Sequence, residues 1–183
     1  MRWILIRHGE TRGNAQKRYI GCRTDEPLSS AGIAALRAKR YPPVARVFSS
    51  PMKRCLMTAD IIYPMHRPES IRDFRECDFG IFEGYNYSEL KDSADYQRWI
   101  DSGGRRPFPG GESREAFAAR CVRAFEALRA RPRAGDSALV VHGGTIMAIL
   151  EAFTAPHRDY FDYQTACGEG FILEESGSCT PLF

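Results

Sequence analysis

Length, composition and charge already exclude several classes of protein. The chain has 183 residues, of which 43% are hydrophobic and 27% charged, with 16 glycines and 11 prolines. Such a composition is typical of a globular protein and excludes a disordered, collagen-like or coiled-coil chain. The net charge is +3 and includes no polybasic block, so nucleic acid is not an expected partner.

The length suits one domain, which we expect to span residues 1–183. No apolar run approaches the roughly 20 residues of a membrane span. Arg7 and His8 interrupt the first apolar run too early for a signal peptide, so we expect a soluble, cytoplasmic protein. The six cysteines contain no C-x-x-C pair and the four histidines have no zinc spacing. We therefore expect reduced thiols, no metal site and no cofactor.

Short apolar segments alternate with helical ones along the chain. In chain order, the patterns predict a strand at 3–6, a helix at 30–40, a strand at 44–48, helices at 52–62, 96–100 and 113–128, a strand at 138–141, a helix at 146–153 and a strand at 171–173. Strands that alternate with helices are typical of an α/β fold with a mainly parallel sheet.

Two histidines have the same position relative to a predicted strand. His8 and His142 each follow a buried apolar strand directly, and each precedes a glycine. In open α/β sheets the carboxyl ends of the strands face the ligand crevice, and glycine lets a backbone N–H approach an anion. A single histidine after a strand is more often structural, but two in the same context favour a shared site.

Cationic and hydrogen-bonding residues accompany these histidines. Arg7 precedes His8 directly, and Asn14 lies a little further on, able to donate an amide hydrogen bond. Arg54 lies near the start of the helix predicted at 52–62, where a guanidinium and the helix dipole together suit a phosphate. Taken alone, Arg54 is better explained as a solvated helix residue.

A series of motifs follows in order along nearly the whole chain. The series includes Leu5-Ile6-Arg7-His8-Gly9-Glu10-Thr11, Ser49-Ser50-Pro51-Met52-Lys53-Arg54, Arg75-Glu76-Cys77-Asp78-Phe79-Gly80, Pro109-Gly110-Gly111-Glu112-Ser113 and Val140-Val141-His142-Gly143-Gly144. This ordered series resembles the histidine phosphatase superfamily, also called the phosphoglycerate mutase-like family. The resemblance implies a three-layer α/β/α fold around a mainly parallel central sheet.

The resemblance also implies roles for individual residues. His8 would attack phosphorus and become a phosphohistidine, while Arg7, Arg54 and His142 would surround the phosphoryl oxygens. Further phosphate contacts are implied for Asn14 and Gly143. Such groups stabilise developing charge without a metal ion, and in-line positioning is most of what phosphoryl transfer needs.

Glu76 matches the proton donor of the family. It would protonate the leaving alkoxide and then, as a carboxylate, take a proton from the attacking water. This role needs a pKa above the free value of about 4.3. Asp78 and Glu83 lie close in sequence, and we expect them to be loop carboxylates that pair with arginines. His66 and His157 match no motif and are expected to be structural or exposed.

The resemblance leaves the substrate open. The compact chain favours a phosphatase over a phosphoglycerate mutase-type transferase, with a broad-specificity phosphatase and an inactive phospho-ligand-binding relative as further alternatives. The loop around Glu76 looks most like the branch that contains α-ribazole phosphatase, which makes α-ribazole 5′-phosphate of cobalamin biosynthesis a candidate substrate.

The segment 85–112 is expected to be a variable, lid-like region. Its aromatic residues either stack on a substrate ring or form helix core; they are Tyr85, Tyr87, Tyr96, Trp99 and Phe108.

Two further expectations concern charge and assembly. Arg105 and Arg106 lie in this variable region and are expected to be a solvated loop rather than a second anion site. The expected partner is a small-molecule phosphomonoester. The oligomeric state stays open, with a homodimer as one candidate.

Overall fold

A mixed six-stranded sheet forms the centre of the computed structural model, which describes residues 1–132 and 134–183. Its strands are β1 (Arg2–Arg7), β2 (Arg46–Ser49), β3 (Glu69–Ser70), β4 (Ser137–Val141), β5 (Gly170–Glu174) and β6 (Cys179–Pro181). They lie in the order β3-β2-β4-β1-β5-β6. The first four in this order are parallel, whereas β5 and β6 each pair antiparallel. The predicted α/β fold with a mainly parallel sheet is confirmed.

Seven α-helices appear among the described residues. They are α1 (Arg12–Ala15), α2 (Ser30–Arg37), α3 (Lys53–Ile62), α4 (Tyr87–Leu90), α5 (Ala94–Asp101), α6 (Arg114–Arg129) and α7 (Gly143–Phe153). The side chain of Ser113 caps α6 by accepting from the Ala116 N–H, which fixes where the longest helix begins. Within the described ranges, no helix combines the length and the apolar character needed to cross a membrane.

The central strands are covered on both faces. Trp3 and Leu5 of β1 pack with apolar residues of α6 and α7, whereas Ile4 and Ile6 pack with α3. Because successive side chains of a strand point to opposite faces, this division places helices on each side of the sheet. It also explains why β1 is apolar from Trp3 to Ile6 instead of alternating. The result is the predicted three-layer α/β/α arrangement.

A third apolar cluster lies outside the two sheet faces and is rich in aromatic rings. It joins Phe82, together with Tyr96 and Phe108 of the variable region, to Phe117 of α6 and to Tyr160. The cluster therefore anchors the segment after residue 80 on α6 and on the turn that follows α7. All six cysteines are free, and three of them are buried.

Candidate active site

The pairing of two central strands brings the two histidines together. β1 and β4 are parallel, and Arg7 lies opposite Val141, so the chain leaves the sheet at the same edge after each strand. The rings of His8 and His142 follow there, with centroids 5.3 Å apart and planes inclined at 67°. Their side chains are buried, with exposures of 3% and 0%.

One ring nitrogen of His8 is fixed as a donor. Nδ1 lies 2.7 Å from the carbonyl oxygen of Gly9. Because a carbonyl only accepts, Nδ1 carries the hydrogen and Nε2 keeps its lone pair. Burial, together with the positive charges of Arg54 and Arg7, holds the pKa of His8 well below its usual range. A neutral imidazole with a free Nε2 is a competent nucleophile at neutral pH.

Arg7 and Arg54 are held in place through part of each guanidinium. Arg7 Nη1 donates to the carbonyl of Thr165 at 2.7 Å, and Arg54 Nη1 and Nη2 donate to the carbonyls of Thr24 and Gly21 at 3.0 and 3.2 Å. The Nε–H groups of both arginines are buried and have no acceptor among the described residues. Leaving a buried donor unpaired costs about 1–3 kcal/mol. Two such donors beside His8 are the arrangement expected of an anion site.

The start of α7 adds backbone donors to the same place. His142 is the N-cap residue and Gly143 the first residue of this 11-residue helix. A Cβ atom on Gly143 would lie 3.6 Å from Arg7 Nε, so the glycine keeps open the space between the helix N-terminus and the guanidinium. A pocket of about 520 Å³ opens here and includes Glu76 in its lining. Helix N-termini favour anions through their free N–H groups and dipole.

His142 lies between a hydroxyl and a carboxylate. Its Nε2 is 2.8 Å from Ser50 Oγ, and its Nδ1 is 3.8 Å from Glu76 Oε2. Burial first, and then the charge of Arg54, keeps the pKa of His142 well below its usual range. The ring is therefore a neutral hydrogen-bonding group whose Nδ1 edge faces Glu76. Sequence reasoning gave no role to Ser50, although the residue lies within one of the recognised motifs.

Glu76 has the environment that a proton donor needs. The residue is 9% exposed, and Oε1 accepts from the Cys77 N–H at 2.8 Å. Burial raises the pKa of Glu76 above its ordinary value, and this effect outweighs the opposing ones of the Cys77 N–H and the nearby arginines. A raised pKa favours the protonated carboxyl group, which is the form that general acid catalysis requires.

Arg120 of α6 fixes the backbone around Glu76, which sequence reasoning missed. Its guanidinium donates to the carbonyls of Asp73, Arg75 and Glu76 at 2.6, 2.8 and 3.0 Å. The same group forms a two-point ion pair with Glu112 at 2.8 and 2.9 Å. This buried network ties the Glu76 loop to the longest helix. A charged residue on the apolar stripe of the predicted helix was the available signal.

Asn14 lies at the margin of this arrangement. Its Oδ1 accepts from the N–H and hydroxyl of Thr11 at 3.1 and 2.9 Å, which completes a capping box at α1. No acceptor for its Nδ2 appears in the described part of the chain, and the residue lines a pocket of about 480 Å³ together with Arg7. The amide is therefore oriented with its donor free.

Four other acidic and histidine residues singled out in the sequence line neither the pocket at the start of α7 nor the pocket beside Asn14: Asp78, Glu83, His66 and His157. Asp78 pairs with Arg23 at 2.8 Å, as predicted. For Glu83 the same prediction is wrong. Both carboxylate oxygens of Glu83 are buried and have no hydrogen-bond partner among the described residues, and Arg23 pairs with Asp78 instead. His66 bonds to a backbone carbonyl, and His157 is exposed. Residues 1–132 and 134–183 contain no group of three or more His, Cys, Asp or Glu side chains placed to hold a metal ion.

A third pocket, of about 450 Å³, adjoins the anion site and is lined mainly by aromatic rings. It shares Glu76, Gly144 and Met147 with the 520 Å³ pocket at the start of α7. The aromatic members of the lining are Tyr19, Phe79, Trp99, Phe108, Phe117, Tyr160 and Phe161. Trp99 stacks on Phe108 with centroids 4.9 Å apart. Among the predicted lid aromatics, Trp99 and Phe108 line this pocket, whereas Tyr96 is buried in the third apolar cluster. Tyr85 and Tyr87 are exposed and lie outside the pocket.

Comparisons with known proteins agree with this geometry. Residues 3–174 match the family model described as "Histidine phosphatase superfamily (branch 1)". The chain is 33% identical over 150 residues to "Probable phosphoglycerate mutase GpmB" of Escherichia coli, covering 76% of this chain and 68% of that protein. It is 29% identical over 160 residues to "Phosphoglycerate mutase-like protein 4" of Arabidopsis thaliana, covering 81% and 69%.

Solved structures share the fold over the whole chain. The crystal structure of TTHB049 from Thermus thermophilus has a TM-score of 0.79 at 30% identity, covering 100% of this chain and 99% of that one. A "putative alpha-ribazole-5'-P phosphatase" from Escherichia coli K-12 has a TM-score of 0.84 at 23% identity, covering 99% and 94%. At 23% identity, the similarity to the second structure is evidence for a shared fold alone.

Proposed function

The chain belongs to the histidine phosphatase superfamily, and we propose that it hydrolyses small phosphomonoesters through a phosphohistidine formed on His8. One observation carries the proposal. Among the residues that the structure describes, the buried Nε–H groups of Arg7 and Arg54 have no acceptor, and they lie beside a neutral imidazole whose Nε2 keeps its lone pair. A phosphoryl group supplies the missing acceptors and brings phosphorus to the nucleophile.

The first step transfers the phosphoryl group to the enzyme. His8 Nε2 attacks phosphorus in line, and the bond from phosphorus to the ester oxygen breaks. Arg7, Arg54 and the N-terminus of α7 stabilise the charge on the equatorial oxygens. Protonated Glu76 gives its proton to the leaving oxygen, so the product departs as a neutral alcohol. No metal ion or cofactor takes part in this scheme.

The second step returns the enzyme to its starting state. Glu76, now a carboxylate, takes a proton from water as the water oxygen attacks phosphorus. The bond from phosphorus to Nε2 breaks, and phosphate leaves with His8 neutral again. His142 faces both Glu76 and His8, and its Nδ1 edge is the group placed to contact a phosphoryl oxygen during both steps.

For the substrate, we propose an organic group with a ring. The pocket beside Glu76 is lined by aromatic side chains, and rings of that kind stack on planar ligands. α-Ribazole 5′-phosphate fits this description and stays the specific candidate. The names of the curated relatives favour a second function, phosphoglycerate mutase-type transfer. A cytoplasmic location, a homodimer and a lid role for residues 85–112 stay predictions.

The test is phosphate release from a substrate panel. The panel holds α-ribazole 5′-phosphate, 3-phosphoglycerate, nucleoside monophosphates and p-nitrophenyl phosphate. We expect His8→Ala to lose at least about 10⁴-fold in kcat/KM, because the attack has no other nucleophile. His157→Ala is the matched control, since His157 is exposed and outside the site.

Three outcomes separate the alternatives. Phosphate release with a preference for ring-bearing substrates supports the proposal. Formation of 2-phosphoglycerate faster than phosphate favours the mutase. Full activity of His8→Ala contradicts the proposed nucleophile.

A further inference from the structure

One arginine in the aromatic pocket has no function in the scheme above. Arg114, the first residue of α6, lines this pocket with its guanidinium over the ring of Tyr160, 5.6 Å from the centroid. Within the described residues it forms no hydrogen bond and no ion pair. Its neighbour on the helix, Glu115, is exposed. The guanidinium therefore has a cation–π contact on one face and free N–H groups along its edge.

The composition of the pocket makes this arginine distinctive. Glu76 and Arg114 are the charged side chains of the lining, and the rest are aromatic, aliphatic, cysteine or glycine residues. Glu76 is shared with the anion site, whereas Arg114 belongs to the aromatic pocket alone. An unpaired cation is thus placed where the organic group of a substrate would lie.

We infer that Arg114 determines specificity by binding a hydrogen-bond acceptor carried on the ring of the substrate. The inference rests on the proposed phosphatase function and deepens it. A ring that enters the pocket displaces water from the guanidinium edge, and that desolvation is offset when the ring brings an acceptor. A carboxylate is the strongest such acceptor because the guanidinium fork matches its two oxygens. A plain hydrocarbon ring leaves the edge unpaired and is disfavoured.

The experiment compares aryl phosphates that differ at one substituent. The probes are phenyl, 4-carbamoylphenyl and 4-carboxyphenyl phosphate, with the 2-naphthyl, 6-carbamoyl-2-naphthyl and 6-carboxy-2-naphthyl phosphates as a longer series. For each probe, kcat/KM of Arg114→Gln is divided by that of the unchanged protein. This ratio cancels the different leaving-group abilities, since both proteins act on the same ester.

In at least one series, we expect Arg114→Gln to lose about tenfold on the carboxylate, less on the amide and under about twofold on the plain ring. A loss confined to the carboxylate also supports the inference and restricts the acceptor to anions. Arg123→Gln is the matched control, because Arg123 is an exposed residue of the same helix. It should leave every ratio near one.

Equal ratios across both series overturn the inference. They leave the proposed function intact if phenyl phosphate is hydrolysed and His8→Ala is inactive. The two proposals therefore fail separately. A larger loss on the plain ring than on the carboxylate also overturns the role given to Arg114, because it indicates a packing contribution instead of acceptor binding.

Discussion

The anion site and the aromatic pocket are neighbours built in different ways. The anion site lies at the ends of β1 and β4 and at the start of α7, where pairing of the strands fixes the backbone. The aromatic pocket is assembled from the short helix α5, from turns, from side chains of α6 and from two residues of α7, Gly144 and Met147. Sheet register dictates the positions of the reacting groups, whereas packing of rings decides the shape beside them. The residues that we propose for the chemistry and for substrate choice therefore come largely from different parts of the chain, although Glu76 belongs to both pockets.

Among the substitutions that test this comparison of the anion site with the aromatic pocket, the largest effect is expected at Glu76, which lines both pockets. Glu76→Gln removes the transferable proton, so kcat/KM for poor leaving groups should fall about 10²–10³-fold. p-Nitrophenyl phosphate should lose far less, because its leaving group needs little protonation. The measurement is a leaving-group series for both proteins. Equal losses across the series would argue against proton donation.

The pH dependence of kcat/KM, measured for the unchanged protein and for Glu76→Gln, gives a second test of the proton-donor role. Burial raises the pKa of Glu76, and the protonated form is the active one in the first step. The rate with poor leaving groups should therefore fall as pH rises through that raised pKa. This decrease of the rate with rising pH should be absent in Glu76→Gln. Because the pKa of His8 is lowered, we expect protonation of its imidazole, which would remove the nucleophile, only at a pH well below 6.5.

A smaller effect is expected at Arg120, which acts on the reaction through Glu76. Arg120→Lys cannot reproduce all the bonds to the Glu76 loop and to Glu112. We expect about a tenfold loss of kcat, concentrated on poor leaving groups, because displacing a donor slightly is enough to slow proton transfer. Arg123→Lys is the exposed control on the same helix. A uniform loss with a lowered Tm would indicate a structural role only.

The smallest effect is expected at the rim of the aromatic pocket. Phe161 is 57% exposed and lines the pocket, so Phe161→Ala removes a ring without opening the core. We expect about a threefold loss in kcat/KM for 2-naphthyl phosphate and little change for a small alkyl phosphate. Tyr87→Ala, at 62% exposure and outside the pocket, is the control. A loss on both substrates would contradict separate encoding of chemistry and substrate choice.

The sequence predicts the anion site better than its surroundings. Apolar runs indicate the central strands, and the residues directly after them, His8 and His142, meet because parallel strands end at one edge. The hydrogen bonds that hold the side chains of this site connect residues far apart in the sequence, so they leave no local sequence pattern. Arg7 is held by the carbonyl of Thr165, which is 158 positions away. A backbone acceptor carries no side-chain signal.

The short elements show a second limit of sequence reasoning. β3 and β6 have two and three residues, and α1 and α4 have four each. Periodicity needs a longer window, so such pieces are invisible to it. The strand at 171–173 was predicted, but its antiparallel direction follows from pairing with β1 and not from its composition. The aromatic pocket draws on turns as well, such as those that contain Gly103 and Tyr160, and sequence periodicity does not predict their shape either.

The hydrogen bond between His8 and Gly9 has a consequence for isomer chemistry. Imidazole can carry a phosphoryl group on either nitrogen, and the two products are distinct constitutional isomers. Here Nδ1 is occupied by the Gly9 carbonyl at 2.7 Å, which leaves a single point of attachment. A phosphoryl group accepted by His8 is therefore bound as the τ isomer, and the backbone of a neighbouring residue makes the reaction regioselective.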